Sequence, residues 1–347
     1  MEYSLFASPS EDGPKNDSNS KGCKMLWFTA MYESTIFFQE ESKEHNHATD
    51  YSVALKSALL NAPETLQPVL ILGQYDLDNE NSTEHNKLGR WAEDQGVKVI
   101  YSSRLTFQKD VVRNSRYGEN QKNMQQGPLL RLDIPTFVKD NALMDIPNVC
   151  QDHVLYTDVD VVFANRIMQG NVQLLSNSVG QKGMVSYGQE SRKEAEIVNT
   201  GVMVIHVENF AKELSSIHQF ARDQNPYPCH DQEMLNLYML KEYADAKEKI
   251  QLLPIQYNWK LYWGLEPTDF SQAKIVHFHG PKLGIGLEEV AQCIVPALSK
   301  LPDHIKGPYR YLIHQGICCD HGRTAKWSLE TINSLRATSD DLCDSKE

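Results

Sequence analysis

Along most of the chain, apolar runs of strand length alternate with longer amphipathic stretches. Lys24–Ala30 (KMLWFTA), Pro68–Gly73 (PVLILG) and Val97–Tyr101 (VKVIY) read as the first three strands. Ala48–Ala62 has helical spacing, with Val53, Leu55, Leu59 and Leu60 as its apolar stripe, and Glu84–Gln95 reads as a second helix. Leu130–Lys139 predicts a helical segment in which Pro135 must sit near a start, because proline breaks a helix interior. His153–Thr157, Gly183–Tyr187, Gly201–Val207, Ile250–Pro254 and Lys274–His279 read as strands, and Asn209–Arg222 and Asp231–Tyr243 as helices. Such alternation predicts an α/β fold with a mostly parallel central sheet and helices on both faces.

The chain has 347 residues, a length that fits one or two domains. There is no internal repeat and no Gly/Ser linker in the middle, so one domain over residues 24–300 is expected. Residues 1–23 and 338–347 are rich in Ser, Asn, Asp, Gly and Lys and read as a flexible N-terminal segment and tail. Residues 301–337 are expected to be a partly helical C-terminal extension.

Charge narrows the function classes. With 46 acidic and 34 basic residues the formal net charge is −12. That excludes a general nucleic-acid binder, which needs basic surface to displace counterions. It leaves a nucleotide substrate open, because a metal and a few local cations hold a diphosphate. No apolar run approaches the roughly 18–20 residues of a membrane span. The first 22 residues lack a signal-peptide core. The expectation is a cytoplasmic protein, or a Golgi or secretory one if the chain is a fragment. The seven cysteines are scattered, form no C-x-x-C pair, and predict thiols in a reducing compartment. Cys318-Cys319-Asp320-His321 has the ligand types of a metal site but no second spaced pair for structural zinc.

In open α/β sheets ligands gather beyond the carboxyl ends of the strands. Four segments place chemically capable residues at such ends. His153–Phe163 (HVLYTDVDVVF) delivers Asp158 and Asp160, and residues at i and i+2 on a strand share a side. Two carboxylates so placed can hold a hard divalent cation and, through it, a diphosphate. A second D-x-D, Asp76 and Asp78, lies among Asn79, Glu80, Asn81 and Ser82 and reads as a solvated turn. Asn199–Val207 (NTGVMVIHV) reads as a small turn entering a strand, with Gly201 permitting close approach of a ligand. Asp231 opens a helix as a natural N-cap, and Gln232 follows without a comparable structural need. Ile275–Lys282 (IVHFHGPK) ends a strand in His277 and His279, followed by Gly280, Pro281 and Lys282. Histidine can complete a carboxylate metal site, and a glycine amide with a lysine suits a diphosphate.

This ordered set, D-x-D, N-x-G, D-Q at a helix start, then H-x-x-G with a lysine, resembles the GT-A glycosyltransferases. It is most similar to glycosyltransferase family 8, over about Lys24 to Lys282. LPIQYNW (253–259) resembles the family's L-P-x-x-Y-N segment, and Arg131 resembles its basic residue on a helix before the D-x-D strand. The resemblance implies a single GT-A, Rossmann-like domain. It implies metal-dependent transfer of a hexosyl group from a nucleoside diphosphate sugar, of the uridine type, with retention. Asp158, Asp160 and His277 would bind Mn²⁺ or Mg²⁺, with Asp158 also near the donor ribose. Gly280 and Lys282 would hold the diphosphate. Asn199, Asp231 and Gln232 would face the donor sugar, with Gly201 beside them. Thr29, Ala30 and Tyr32, after the first strand, would line the base pocket, and Arg131 would serve the donor.

The sequence departs from the family in two places. One residue rather than two separates Gly280 from Lys282, which leaves His277 and His279 both open as the metal ligand. The first-strand end, FTAMY, lacks the acidic residues found in many members. A sugar nucleotidyltransferase is an alternative, although FTAMYES has no Gly-rich basic phosphate loop. A catalytically inactive GT-A domain that binds sugar is another. The aromatic cluster Tyr257, Trp259, Tyr262 and Trp263 reads mainly as core, with one ring left to stack on an acceptor sugar.

Overall fold

The computed structural model describes residues 22–32, 47–73, 83–102, 126–140, 143, 145–189, 198–223, 231–243, 250–260 and 273–277. In chain order the strands are β1 (Lys24–Tyr32), β2 (Leu66–Gly73), β3 (Lys98–Ser102), β4 (Val149–Thr157), β5 (Val161–Phe163), β6 (Val185–Gln189), β7 (Val198–His206), β8 (Ile250–Leu252), β9 (Trp259–Lys260) and β10 (Ile275–His277). The helices are α1 (His47–Asn61), α2 (Thr83–Asp94), α3 (Gln126–Leu129), α4 (Ile134–Lys139), α5 (Gln169–Val179), α6 (Val207–Asp223) and α7 (Asp231–Tyr243). Short 3₁₀ turns occupy Leu130–Asp133 and Ile255–Tyr257.

Every residue of β1 from Met25 to Met31 is buried. A strand with no polar alternation must be covered on both faces. Its side chains divide with period two between two cores. Leu26, Phe28 and Ala30 join Leu130, Phe137, Phe210 and Tyr238, under α4, α6 and α7. Met25, Trp27 and Met31 join Tyr51, Leu55, Leu88 and Leu175, under α1, α2 and α5. The expected helices on both faces are therefore present.

Among the described residues the main sheet has seven strands in the order β3-β2-β1-β4-β7-β6-β8. β1 pairs parallel with β2 and β4, β2 with β3, and β6 with β8. The reversed strand is β7, antiparallel to both β4 and β6. A smaller sheet, β5-β10-β9, lies beyond the carboxyl end of β4. Pro68 sits inside β2, one position before the first β3 partner at Val69, where a missing N–H costs the ladder little.

Several expected elements shift. The Leu130–Lys139 segment is a 3₁₀ turn followed by α4, with Pro135 in the first turn of α4. The buried stripe of α1 runs through Tyr51, Ala54, Leu55 and Ala58, while Leu60 is half exposed. Asn199, Thr200 and Gly201 are not a turn before a strand. They lie within β7, where Asn199 pairs with Gly188 of β6 and Thr200 and Gly201 fall in the register shift at Tyr187/Gly188. β1 likewise continues to Tyr32, so Thr29, Ala30 and Tyr32 are strand residues rather than residues that follow it.

Cys23 and Cys150 form a disulfide across the starts of β1 and β4. This corrects the expectation of thiols for that pair. Disulfides persist in oxidising surroundings, so the expected reducing compartment loses its basis. Among the described residues no helix is long and apolar enough to cross a membrane.

Candidate active site

The site forms where β4, β7 and the small sheet meet, and register explains why. Thr157 at the end of β4 pairs with Val202 of β7. One residue on, the Asp158 amide donates to the Gly201 carbonyl at 2.8 Å. The Trp27 indole donates to Thr157 Oγ1 at 2.9 Å and holds this strand end from β1. The chain then bends through Val159 and Asp160 into β5. Val161 of β5 is the antiparallel partner of His277, so Asp160 arrives beside that imidazole. α1 secures β5 from behind: the Phe163 amide donates to Ser57 Oγ, and Asn61 Nδ2 donates to the Phe163 carbonyl.

Asp158 and Asp160 thus converge through a bend between strands rather than as i and i+2 on one strand. Among the described residues, Asp158, Asp160 and His277 offer ligand atoms all within 4.8 Å of one another. His277 Nε2 stands 3.4 Å from Asp160 Oδ1 and 3.9 Å from Asp158 Oδ2. Two carboxylates and an imidazole are a donor set that suits a divalent cation of the Mn²⁺ type. The cradle fits as well. A Cβ on Gly201 would collide with His277 Cε1 and lie 2.8 Å from Asp158 Oδ2.

Arg131, buried in its 3₁₀ turn, fixes the other half of Asp158. Its Nη2 donates to Asp158 Oδ1 at 2.9 Å, and its Nη1 donates to the Thr200 carbonyl. Its guanidinium lies 4.4 Å over the Tyr156 ring, and the Tyr156 hydroxyl donates to the same Asp158 oxygen at 2.9 Å. Arg131 was expected to serve the donor. In the structure its guanidinium holds the carboxylate and the backbone of β7.

The expected sugar-facing residues lie alongside. Asn199 is fully buried on β7, and its Nδ2 donates to Gln232 Oε1 at 2.9 Å. The Thr200 amide donates to the same Gln232 oxygen at 3.2 Å. Asp231 opens α7 as expected, although its side chain lies outside the described residues. Thr29 and Ala30 are buried in β1, and the side chain of Tyr32 lies outside the described residues. His279, Gly280 and Lys282 lie outside them too, as do the Asp76/Asp78 pair, the Cys318–His321 cluster, Tyr262 and Trp263. Tyr257 and Trp259 are buried core residues. Burial pushes the Tyr257 phenol above its usual range, partly offset by the hydrogen bond from Asn171.

Three participants escaped the sequence reading. Tyr156 looked like one more strand apolar residue. Asn236, one helical turn after Gln232, clamps both backbone groups of Val198 at 3.1 Å. Asn258 bridges His277 and Asn199. Only Asn258 carried a signal, as part of the Y-N segment at 257–258.

Comparison with known proteins gives the family of the chain. The family model described as glycosyl transferase family 8 matches residues 42–282. No curated protein matches the sequence. Similar solved structures include the galactosyltransferase LgtC in complex with donor and acceptor sugar analogs, at 15% identity and TM-score 0.48, covering 88% of this chain and 100% of that one. The glycosyltransferase GlyE of Streptococcus pneumoniae matches at 15% identity and TM-score 0.47, over 92% of this chain and 64% of its own, so this chain spans under two thirds of it. Mouse xyloside xylosyltransferase 1 matches at 13% identity and TM-score 0.46, over 74% of this chain and 97% of its own. With more than half of its length matched by the family model, the chain belongs to glycosyl transferase family 8 and is a glycosyltransferase.

Proposed function

We propose that the chain transfers a hexosyl group from a uridine diphosphate sugar to an acceptor, with retention and in dependence on a divalent cation. The observation that carries this reading is the convergence of Asp158, Asp160 and His277 beside Asn199 and Gln232. Asp158 Oδ2, Asp160 Oδ1 and His277 Nε2 would hold the cation, and an imidazole in the set favours Mn²⁺ over Mg²⁺. When bound, the cation supplies positive charge against a departing diphosphate.

The remaining roles fall to this chain's own groups. Gly280 and Lys282 would hold the diphosphate from the segment that follows β10. Thr29, Ala30 and Tyr32 would flank the base, Asp231 would bind sugar hydroxyls, and the buried Asn199 would hold Gln232 toward the sugar. Gln232 Oε1 already accepts two hydrogen bonds, which ties up its lone pairs as a nucleophile. That supports front-face attack by the acceptor rather than a covalent glycosyl-enzyme.

A screen of nucleotide sugars for Mn²⁺-dependent hydrolysis tests the reading. Uridine diphosphate hexoses are expected to turn over, and Asp158→Asn and Asp160→Asn each to lose at least about 100-fold in kcat, as for loss of an electrostatic stabiliser. Intact Mn²⁺-dependent turnover in both variants would overturn it.

A further inference from the structure

Four carboxamide and imidazole side chains run in one line through the site. His277 Nδ1 lies 3.0 Å from Asn258 Oδ1. Asn258 Nδ2 lies 3.2 Å from Asn199 Oδ1 and 3.4 Å from the Gln189 carbonyl. Asn199 Nδ2 lies 2.9 Å from Gln232 Oε1. Each amide could in principle be turned over, so the direction of the line needs anchors that are donor-only or acceptor-only.

Backbone groups supply three such anchors. The Thr200 N–H only donates, so the Gln232 atom facing it is Oε1. Asn199 must then present Nδ2 to Gln232. The Gly201 N–H, 3.2 Å from Asn199 Oδ1, independently requires an oxygen there. The Gln189 carbonyl only accepts, so Asn258 directs Nδ2 toward Gln189 and Asn199 and turns Oδ1 to His277. An amide oxygen accepts from Nδ1–H. His277 therefore carries a proton on Nδ1, and Nε2 is the nitrogen that faces Asp160 and Asp158. Either a proton or a metal cation on Nε2 answers those two carboxylates, and a bound metal would take the proton's place.

The fold makes room for this bridge. Asn258 is 1% exposed and caps the 3₁₀ turn Ile255–Tyr257, its backbone N–H donating to the Ile255 carbonyl. Tyr257 anchors that turn to α5 through Asn171. Gly188 of β6 lies under the carboxamide, and a Cβ there would overlap Asn258 Nδ2 and Cγ. Gly188 is also the cross-strand partner of Asn199, next to the register shift.

We propose that Asn258 is a positioning residue. Its single carboxamide sets the tautomer of His277 for metal binding and, through Asn199, the orientation of Gln232 toward the donor sugar. The metal and sugar arms of this inference rest on the proposed function, whereas the tautomer arm does not. Groups that orient a ligating histidine are typically worth about 10–100-fold in metal affinity.

Nitrogen-15 NMR of histidine-labelled metal-free protein reads the tautomer, with the His277 signals identified by their loss in His277→Gln. Spectra are read at a pH where the His277 signals show the neutral form: Nδ1–H is expected there, and an Nε2–H form would overturn the proposal. Mn²⁺ isotherms and donor-hydrolysis kinetics on the variants test the coupling. Asn258→Ala is expected to weaken Mn²⁺ binding about 10–100-fold while melting as a cooperative fold. Asn258→Asp keeps an acceptor facing His277 but cannot donate to Asn199. It is expected to bind Mn²⁺ close to wild type while kcat falls as far as in Asn258→Ala. Wild-type Mn²⁺ affinity in Asn258→Ala, or wild-type kcat in Asn258→Asp, would overturn the proposal. A wild-type protein that binds no Mn²⁺ would sink the metal-dependent function instead, and the NMR result would still decide the tautomer.

Discussion

Arg131 and Asp158 lie 27 residues apart and meet through an Nη2–Oδ1 contact of 2.9 Å, with the guanidinium almost fully buried and the carboxylate partly open to solvent. The same guanidinium holds Thr200, so one side chain ties the end of β4 to β7. Removing one partner of such a pair strands the other's charge. Arg131→Met is expected to cost about 3 kcal/mol, the lower part of the range for buried pairs, because Asp158 is partly solvated. Arg131→Lys is expected to fall between, since an ammonium lacks the planar fork that reaches both acceptors. Tyr156→Phe removes one bond to a charged acceptor and should cost about 1.5 kcal/mol. Urea denaturation of the three variants checks the order.

Gly201→Ala is predicted to damage metal binding more than folding. The added methyl meets the His277 ring and Asp158, so two metal-facing side chains must be displaced, whereas the β4–β7 pairing resumes at Val202. Mn²⁺ affinity should drop at least about 10-fold, comparable to loss of an orienting group. Calorimetric titration beside a melting curve checks the split.

The Cys23–Cys150 bond closes a loop with a sequence separation of 127. Chain-entropy arguments assign a closure of that length about 4–5 kcal/mol, with less commonly delivered. Reductant should lower the urea midpoint of the wild type. The paired Cys23→Ser and Cys150→Ser variant should start at the lowered midpoint and ignore reductant.

A pH effect is expected from His153, which packs edge-on against His206 at 4.7 Å across β4 and β7. Burial first, then repulsion from His206, lowers its pKa, and Asp152 offsets part of this. The unfolded chain therefore takes up a proton that the folded chain resists. Stability contributed by neutral His153 is present above an unfolded value of about 6.5 and declines as pH falls below it. Melting temperatures from about pH 8 to pH 5 should drop less steeply in His153→Gln than in wild type.

The elements were legible because apolar runs and helical stripes encode them directly. β1, β2 and α7 could be read from their own residues. What stayed hidden depends on pairing between distant segments. Nothing local says that N-T-G lies in a reversed strand, because that follows from β7 running against β4. Asp158 and Asp160 were found as a pair, yet the bend that turns both toward His277 depends on β5 meeting β10. Tyr156 looked like core because its ring is core, and only its hydroxyl reaches Asp158. The cysteine pair was missed for the same reason, since its partners meet only once β1 lies beside β4.

The position of that bond has a practical consequence. Cys150 pairs with Met25 and Tyr156 with Phe28 across a bulge in β4, so Asp158, just past the end of that strand, lies about five β1 positions further on, a run on the order of 15–17 Å. The crosslink and the carboxylates therefore occupy opposite rims of the sheet. A dye, spin label or surface tether installed at the Cys23/Cys150 rim would leave the chemistry facing away from the attachment point. The molecule could then be immobilised in one orientation with its opening presented to solution.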